Sequence, residues 1–255
     1  MKHRVFLAGA TGVIGRSLIP LLLRDGHTVT GTTRTTEGAS KLHGLGIDPV
    51  IVNVLDGEAL KLAVKAARPS VVIHQLTDLS AGLTPEVQAG VLKRNARLRR
   101  EGTYNLVAAS RAAGVQRLIA QSIAWAYAPH VPPYHEDDPL DEHADGLRAV
   151  TVGGVIALER AVIDQNDFIG IVLRYGELYG DGTWSKVPHG RSPVHVDAAA
   201  YAALLAINHG RSGAYNIAEP EGAVVIDKAL EDLGWQPDFR LEHERLHEAR
   251  DGARD

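Results

Sequence analysis

The segment that decides the fold reads GATGVIG at residues 9–15. It follows a short apolar run, Arg4 to Ala8, and precedes a helical pattern from Ile14 to Arg24. Glycines in such a turn let backbone N–H groups approach a phosphate, and a helix N-terminus at the same point favours negative charge. A strand, a glycine-rich turn and a helix in this order predict a dinucleotide-binding turn; the alternative is a turn that serves structure alone.

Outward from this turn, short β-branched runs alternate with longer helical patterns. Further strands are predicted at residues 28–32, 50–54, 71–74, 117–121, 169–174 and 213–217. Further helices are predicted at residues 39–44, 58–67, 85–113, 154–165 and 197–208. Repeated alternation with continuous apolar strands is typical of a parallel sheet whose two faces are covered by helices. We therefore predict an α/β fold with a doubly wound parallel sheet of the Rossmann type.

The length of the chain, 255 residues, suits one domain of this type. We expect a single NAD(P)-binding Rossmann domain over residues 1–240. Its substrate-binding part is expected to be small and truncated, contributed mainly by about 176–196 and 218–240. Residues 241–255 are dense in charge, which is typical of a solvated helix or a frayed tail.

Composition excludes several classes of function. The net charge is −4 and there is no cysteine, so the chain has neither a basic field for nucleic acid nor the residues for a thiolate metal site. None of the 12 histidines stands in a zinc-binding pattern, and no metal is expected. No apolar run is long enough for a membrane span or a signal peptide. We expect a cytoplasmic protein that acts on a small molecule, as a monomer or a dimer.

The end of the second predicted strand indicates which dinucleotide is bound. NAD-specific folds usually place an acidic residue there to bind the ribose 2′-hydroxyl, whereas NADP-specific folds keep that position neutral and supply an arginine. This chain has Thr33 followed by Arg34. A guanidinium can pair with a 2′-phosphate through two hydrogen bonds, so we expect NADP(H). The alternative is that Arg34 is an ordinary solvated charge.

Further segments, in order along the chain, resemble the extended short-chain dehydrogenases/reductases, the group that contains sugar-nucleotide epimerases, dehydratases and reductases. Besides the glycine turn, the resemblance rests on VIH at 72–74, EGTYNL at 101–106, QS at 121–122, LRYGELYG at 173–180, VHVD at 194–197, YNI at 215–217 and LGWQP at 233–237. It covers about residues 3–237. The resemblance implies a reductase, epimerase or dehydratase that uses a nicotinamide dinucleotide.

Cofactor contacts follow from the turn, the strand ends and the resemblance together. The residues expected to bind the cofactor are Gly9, Thr11, Gly12, Val13, Ile14, Gly15, Thr33, Arg34, Asn53, Val54, Gln75, Leu76, Tyr175 and Gly176. The segment 180–190 is expected to form a loop over the site, with Trp184 as a flat contact.

The chain departs from the family in its chemistry. The family uses a Tyr as acid or base, a Lys four residues later, and has a Glu four residues beyond the Lys. Alignment on Glu159 puts Thr151 at the Tyr position and Val155 at the Lys position, and no other Tyr is followed by a Lys at that spacing. Arg99 stands where many relatives have an Asn, with Asn95 one helical turn away. An angucyclinone ketoreductase of simocyclinone biosynthesis, which this chain resembles, also lacks the Tyr and the Lys.

Three residues are candidates for the missing catalytic group. Ser122 is expected at the C-terminal end of a strand, where it can hydrogen-bond a substrate carbonyl; the alternative is that it caps backbone groups. Tyr127 and His135 lie in predicted loops on the same side of the sheet and are alternative acids, although such loop residues are commonly surface features. A serine hydrolase is disfavoured because the chain has no Gly-x-Ser-x-Gly segment.

Three functions are compatible with these residues. The first is an NADPH-dependent ketoreductase that acts on a small or polyaromatic, polyketide-type ketone, with the proton supplied by Ser122, by water or by the substrate itself. The second is a dinucleotide-binding sensor without catalysis. The third is a non-reductive epimerase, dehydratase or cyclase.

Overall fold

The computed structural model describes residues 1–78 and 85–241, with the backbone alone at 85–88. A seven-stranded sheet forms the centre, in the order β3-β2-β1-β4-β5-β6-β9, and all of its strand pairs are parallel. The strands of this sheet are β1 Arg4–Ala8, β2 Thr28–Thr33, β3 Asp48–Ile51, β4 Val71–His74, β5 Arg117–Ile123, β6 Ile169–Tyr175 and β9 Gly213–Ile217. A separate two-stranded parallel pair comprises β7 Glu177–Tyr179 and β8 Pro193–His195.

Helices cover both faces of the sheet, and central strands such as β1 and β4 are apolar and buried on both sides. They are α1 Val13–Arg24, α2 Thr36–Gly44, α3 Gly57–Ala67, α4 Pro85–Arg97, α5 Thr103–Ala112, α6 Gly146–Ile163, α7 Val196–Leu205 and α8 Asp227–Leu233. Helices α1 and α7 pack on one face, around Leu18, Leu22 and Ala203. Helices α3, α5 and α6 pack on the other, around Leu60, Leu106 and Leu158. The predicted doubly wound Rossmann fold is therefore confirmed.

Strand order reverses between β1 and β4, which are neighbours in the sheet although two βα units separate them in the chain. Such a reversal opens a crevice at the C-terminal ends of the two strands, where ligands bind in folds of this kind. The sheet therefore places the glycine turn, which follows β1, beside the segment that follows β4.

Several predicted boundaries were wrong. The helix expected at 39–44 begins at Thr36. The strand expected at 50–54 is β3 at 48–51, so residues 52–54 belong to a loop. The helix expected at 154–165 begins at Gly146. Gly153 and Gly154 lie inside this helix and not at its start. Gly154 instead permits close helix packing, since a Cβ there would lie 2.9 Å from the Cα of Ala96. The helix expected at 85–113 is interrupted by a π-helical turn, Leu98–Gly102. Helix α7 ends at Leu205, three residues earlier than expected.

Two further findings complete the fold. The strands β7 and β8 and the helix α8 were not predicted, because each is too short to show a clear period. Among the described residues, no helix combines the length and the apolar character needed to cross a bilayer. The charged tail expected at 241–255 lies outside the described residues from 242 onward.

Candidate functional site: a cleft beside a buried polar layer

A cleft opens at the C-terminal ends of β1, β2 and β4, where the strand order reverses. Its lining comes from the glycine turn, from the ends of β2 and β4, from the loop after β3 and from α4. The residues that line it are Gly9, Thr11, Gly12, Thr32, Thr33, Arg34, Val52, Asn53, Val54, Leu55, Gln75, Leu76, Thr77, Asp78, Arg94, Arg97 and Leu98. Nine of the fourteen residues expected to bind the cofactor are among them.

The glycine turn is shaped by contacts that exclude side chains. Gly9 has φ +91, and a Cβ there would lie 2.5 Å from the carbonyl oxygen of Gln75. A Cβ at Gly15 would lie 2.3 Å from the carbonyl oxygen of Gly9. A Cβ at Gly12 would lie 3.1 Å from the carbonyl oxygen of Gly9, a tight contact but not a clash, and Gly12 lines the cleft. Gly9 and Gly15 are required by the fold itself, whereas Gly12 is less confined and faces the cleft.

The N-terminus of α1 faces this turn. Gly12 is the N-cap, and no side chain caps the helix. The first N–H groups of a helix have no partner within the helix, and they bear part of the positive end of its dipole. These groups suit a phosphate, which fits the pyrophosphate of a dinucleotide. Val13, Ile14 and Gly15 do not line the cleft with their side chains, so any contact they make uses the backbone.

Arg34 lies at the cleft rim, immediately after β2. Its side chain is exposed and forms no hydrogen bond or ion pair with any described residue. Thr33, which precedes it, is buried, and its Oγ1 accepts a hydrogen bond from the N–H of Thr35. The end of β2 therefore offers a free guanidinium and no carboxylate, an arrangement that fits a 2′-phosphate better than a 2′-hydroxyl.

Two further residues expected to bind the cofactor, Tyr175 and Gly176, are not part of the cleft lining. Tyr175 is buried at the end of β6, and its hydroxyl accepts a hydrogen bond from Nε2 of Gln75 at 3.2 Å. A Cβ at Gly176 would lie 1.7 Å from the carbonyl oxygen of Ser192, so glycine is needed there for the packing of two segments. Tyr175 therefore contacts the cleft residue Gln75, whereas Gly176 packs against Ser192.

The loop at 180–190 approaches the cleft from the side of α1. A Cβ at Gly182 would lie 2.5 Å from Nη2 of Arg16 and 3.8 Å from Val13, which places this loop beside the N-terminus of α1. Trp184 is 74% exposed, and its Nε1 donates to Nε2 of His189. The loop thus lies near the glycine turn, as expected, with its indole in solvent.

A layer of polar side chains is buried next to the cleft, on the sheet face that α6 covers. Register places Ser122 of β5 opposite Arg174 of β6, and Arg174 opposite Asn216 of β9. Together with Glu159 of α6 and Tyr127 they form what we call the buried polar layer. Sequence analysis had singled out only Ser122 and Tyr127 as functional candidates, because the others become neighbours only when the strands pair.

Ser122 forms its side-chain hydrogen bond within the buried polar layer. Its hydroxyl is fully buried and donates to Oε1 of Glu159 at 2.6 Å. The same carboxylate accepts from Nε and Nη2 of Arg174, the latter at 2.7 Å. The hydroxyl therefore donates to a carboxylate rather than capping a backbone group. Ser122 instead helps to hold a buried ion pair.

Tyr127 is also engaged within the protein. Its hydroxyl donates to Oδ1 of Asn216 at 2.6 Å and accepts from Nη1 of Arg174 at 2.9 Å. Burial raises the pKa of Tyr127 to about 12, despite the nearby charge of Arg174. His135, by contrast, is exposed. Its neighbour Glu136 reaches the layer and accepts from the N–H of Asn216. The structure does not bring Tyr127 or His135 to the cleft.

Helix α6 carries no replacement acid at the positions that the family resemblance indicates. Thr151 donates its hydroxyl to the carbonyl oxygen of Leu147 at 3.2 Å, one turn earlier in the helix. Val155 is fully buried. The helix contains neither Tyr nor Lys.

Within residues 1–78 and 85–241, no group of acidic and histidine side chains is arranged to hold a metal ion.

Two buried basic residues lie on the same face as the polar layer. His74, at the end of β4, has Nε2 3.0 Å from Oγ1 of Thr103, and its Nδ1 accepts from the N–H of Leu76. Burial and the charge of Arg99 lower the pKa of His74 to about 4. Arg99, in the π-helical turn, is 3% exposed. Burial lowers its pKa to about 10. The histidine is therefore neutral at physiological pH, whereas the arginine keeps its charge.

These features can be compared with those of known proteins. The sequence profile described as the NAD dependent epimerase/dehydratase family matches residues 5–193, well over half of the chain. The chain belongs to the NAD-dependent epimerase/dehydratase family. This membership confirms the resemblance to the extended short-chain dehydrogenases/reductases.

Proteins that are similar in sequence to this chain include reductases. The chain is 42% identical over 241 residues to the 3-diazoavenalumate denitrifying reductase of a Streptomyces species, covering 86% of this chain and 77% of the relative. It is 30% identical over 118 residues to the 4-hydroxy-2-methyl-3-oxo-4-farnesyl-3,4-dihydroquinoline-1-oxide ketoreductase of Stigmatella aurantiaca, covering 46% of this chain and 32% of the relative.

A solved structure has a similar architecture. The UDP-glucose 4-epimerase of Thermotoga maritima, crystallised with UDP-glucose, superposes with a TM-score of 0.72 at 18% identity and covers 94% of each chain. A likeness at this level of identity establishes the shared fold.

Proposed function

We propose that this protein is an NADPH-dependent reductase that delivers hydride to a small aromatic substrate without donating a proton of its own. The glycine turn, the uncapped N-terminus of α1 and the position of Gly12 at the cleft support binding of the pyrophosphate. The free guanidinium of Arg34 supports NADPH rather than NADH. NADPH, when bound, supplies the hydride.

One observation carries the proposal: the hydroxyls of the two candidate acids Ser122 and Tyr127, and that of Thr151 at the Tyr position of the family resemblance, already donate within the protein. Ser122 donates to Glu159, Tyr127 donates to Asn216 and Thr151 donates to Leu147. A ketone that accepts hydride builds alkoxide charge and needs a donor in place. The substrates that suit this protein are therefore those that need no such donor, or that carry one.

The first candidate substrate is an aromatic diazonium compound. Such a group accepts hydride at its terminal nitrogen and becomes a neutral aryldiazene, which loses N₂ and leaves a C–H bond. The hydride step neutralises a positive charge, so no acid is required at that moment. The 42% identity to a denitrifying reductase of a diazo compound favours this candidate.

The second candidate is an aromatic ketone with a neighbouring phenol. The phenol can give its proton to the carbonyl oxygen as hydride arrives, which leaves the protein with no acid to supply. The relative named as a ketoreductase, at 30% identity, supports this candidate over a shorter part of the chain.

For either substrate we propose that residues 1–240 form one domain whose small substrate-binding part comes from about 176–196 and 218–240.

The test is NADPH consumption by the full chain with two probes, a diazotised aminobenzoate and an aromatic ketone that bears an adjacent hydroxyl. We expect NADPH oxidation well above the rate without protein, in step with N₂ release for the first probe. With the second probe, methylation of the hydroxyl should abolish reduction. Ser122→Ala should retain most of the turnover, because its hydroxyl bonds Glu159 rather than the substrate.

A matched variant separates binding from catalysis. Gly12→Ala should strongly weaken NADPH binding, because the added methyl group lies in the approach to α1, and its Cβ is 3.1 Å from the nearest backbone atom, so the fold should be retained with a small adjustment. NADPH binding without turnover of either probe would support the sensor function. A changed product without NADPH consumption would support epimerase or dehydratase chemistry. Either result would refute the proposed reductase.

A further inference from the structure

Arg99 is a buried cation with an unsatisfied donor. It is 3% exposed, and its Nη1 atom has no hydrogen-bond partner among the described residues. A guanidinium in a protein interior is costly unless it is paired and hydrogen-bonded. The burial of Arg99 therefore opposes folding, and folding gives no reason for an arginine at this position.

The nearby carboxylate is already used. Oε1 of Glu159 accepts from Ser122 and from Nε of Arg174, and Oε2 accepts from Nη2 of Arg174 at 2.7 Å. Glu159 and Arg174 balance each other as a buried ion pair. Arg99 feels Glu159 only through space, and that charge offsets part of the effect of burial on its pKa. Glu159 is therefore engaged by Ser122 and Arg174, and Nη1 of Arg99 is left without a hydrogen-bond partner in the described part of the chain.

The position of Arg99 connects this charge to the cleft. It belongs to the π-helical turn Leu98–Gly102, and Leu98 lines the cleft. Single π-helical turns inside helices are frequent at functional sites. The charge of Arg99 also lowers the pKa of His74, at the end of β4, two residues before the cleft residue Leu76. Arg99 therefore lies directly behind the cleft wall.

Helix α6, which carries the vacated Lys position, packs against the helix that leads into the π-helical turn. Gly154 abuts Ala96, with a Cβ-to-Cα separation of 2.9 Å if it carried a side chain. Val155, which follows, stands where the family resemblance expects a Lys, and Arg99 stands where it expects an Asn. This chain has therefore lost one cation from α6 and gained one on the neighbouring π-helical turn.

We propose that Arg99 binds a carboxylate of the aromatic substrate and so orients the ring for hydride transfer. This inference rests on the proposed reductase function and names a feature of its substrate. The planar guanidinium fork matches a carboxylate, and a cation held in a water-poor site gains more from such a pair than one in solvent. The carboxylate would reach it from the cleft, past the apolar side chains of Leu76 and Leu98.

The experiment is a calorimetric titration of the NADPH-loaded full chain with benzoate and with benzamide, its neutral counterpart of similar shape. We expect the natural protein to prefer benzoate. Arg99→Met should weaken benzoate binding by roughly 10–100-fold, the range of a hydrogen bond to a charged group. It should leave benzamide and NADPH binding unchanged, and Arg99→Lys should restore part of the preference for benzoate.

Arg100→Met is the matched control, because Arg100 is the exposed neighbour in the same turn. It should leave the preference for benzoate unchanged. Arg99→Met should also be at least as resistant to urea as the natural protein, since it removes an unpaired buried charge. A purely structural arginine would give the opposite result, and loss of folding in Arg99→Met would overturn the proposal.

Two further outcomes would overturn it: no preference for benzoate in the natural protein, or the same preference in Arg99→Met. A preference that depends on Arg99, in a protein that never consumes NADPH, would keep the carboxylate site and refute only the reductase. The two proposals therefore fail in distinguishable ways.

Discussion

The cleft and the buried polar layer lie at the same edge of the sheet, but two polar groups of the cleft lack partners in the described protein whereas those of the layer are paired. In the cleft, α1 has no side-chain cap, and Arg34 has no partner among the described residues. In the polar layer, Ser122, Glu159 and Arg174 satisfy one another at distances of 2.6–3.3 Å. Groups left open suit a ligand, whereas groups already paired stabilise the fold.

A polar residue at the end of a parallel strand can therefore either contact a ligand or stabilise the fold, depending on whether it already has a partner in the protein. Ser122 and Arg34 both follow or end a parallel strand, and residue type alone made both candidates for ligand contact. The hydroxyl of Ser122 donates a hydrogen bond to the carboxylate of Glu159, whereas the guanidinium of Arg34 lies at the cleft without a partner in the described protein. Three changes test the contrast, from the largest expected effect to the smallest.

Glu159→Ala should be the most damaging change, because it leaves the buried guanidinium of Arg174 without a counter-charge. We expect the free energy of unfolding in urea to fall by about 3–5 kcal/mol. The matched control is Glu142→Ala, which breaks the exposed pair with Arg160 and should cost no more than about 1 kcal/mol. Equal losses for the two variants would mean that the layer does not stabilise the fold.

His74 should make stability depend on pH. Its pKa is lowered from 6.5 to about 4 in the folded protein, so below pH 6.5 the unfolded chain binds a proton that the folded chain does not. Stability is therefore complete above that pH and falls as the pH decreases toward about 4, by about 3 kcal/mol in total. His74→Gln should flatten the fall in unfolding free energy measured across this window.

Replacement of the exposed His143 provides the comparison for this profile. His143→Gln should follow the natural protein at every pH. If the two glutamine variants gave the same profile, the pH dependence would have to be assigned to groups other than His74.

Arg34→Ala should have a smaller effect, confined to the cofactor. We expect NADPH binding to weaken by about 1.5–3 kcal/mol, as for a hydrogen bond to a charged group, and NADH binding to stay the same. The unfolding free energy without cofactor should not change, because Arg34 has no partner in the described protein to lose. Titration with both cofactors measures the difference, and an equal loss for the two would refute the 2′-phosphate assignment.

The sequence carried the information for the fold because that information is local. Strand β4 at 71–74 and strand β9 at 213–217 have the predicted bounds, and GATGVIG lies between β1 and α1 as expected. Apolar runs, glycines and caps act within a few residues, so their effect can be seen without tertiary contacts. The cleft residues Gly12, Arg34 and Asn53 were found in the same way, since each closely follows a strand.

Only the tertiary structure decided the state of the polar groups. Whether Ser122 is free or bonded depends on Glu159, which is 37 residues away in the chain, and Tyr127 depends on Asn216, which is 89 residues away. Such pairs form only when strands take their register and α6 packs on the sheet. A hydrogen bond also removes a group from chemistry without changing its residue type. The positions of the cleft residues could therefore be predicted locally, whereas the hydrogen bonds of Ser122 and Tyr127 and the burial of Arg99 became evident only in the folded protein.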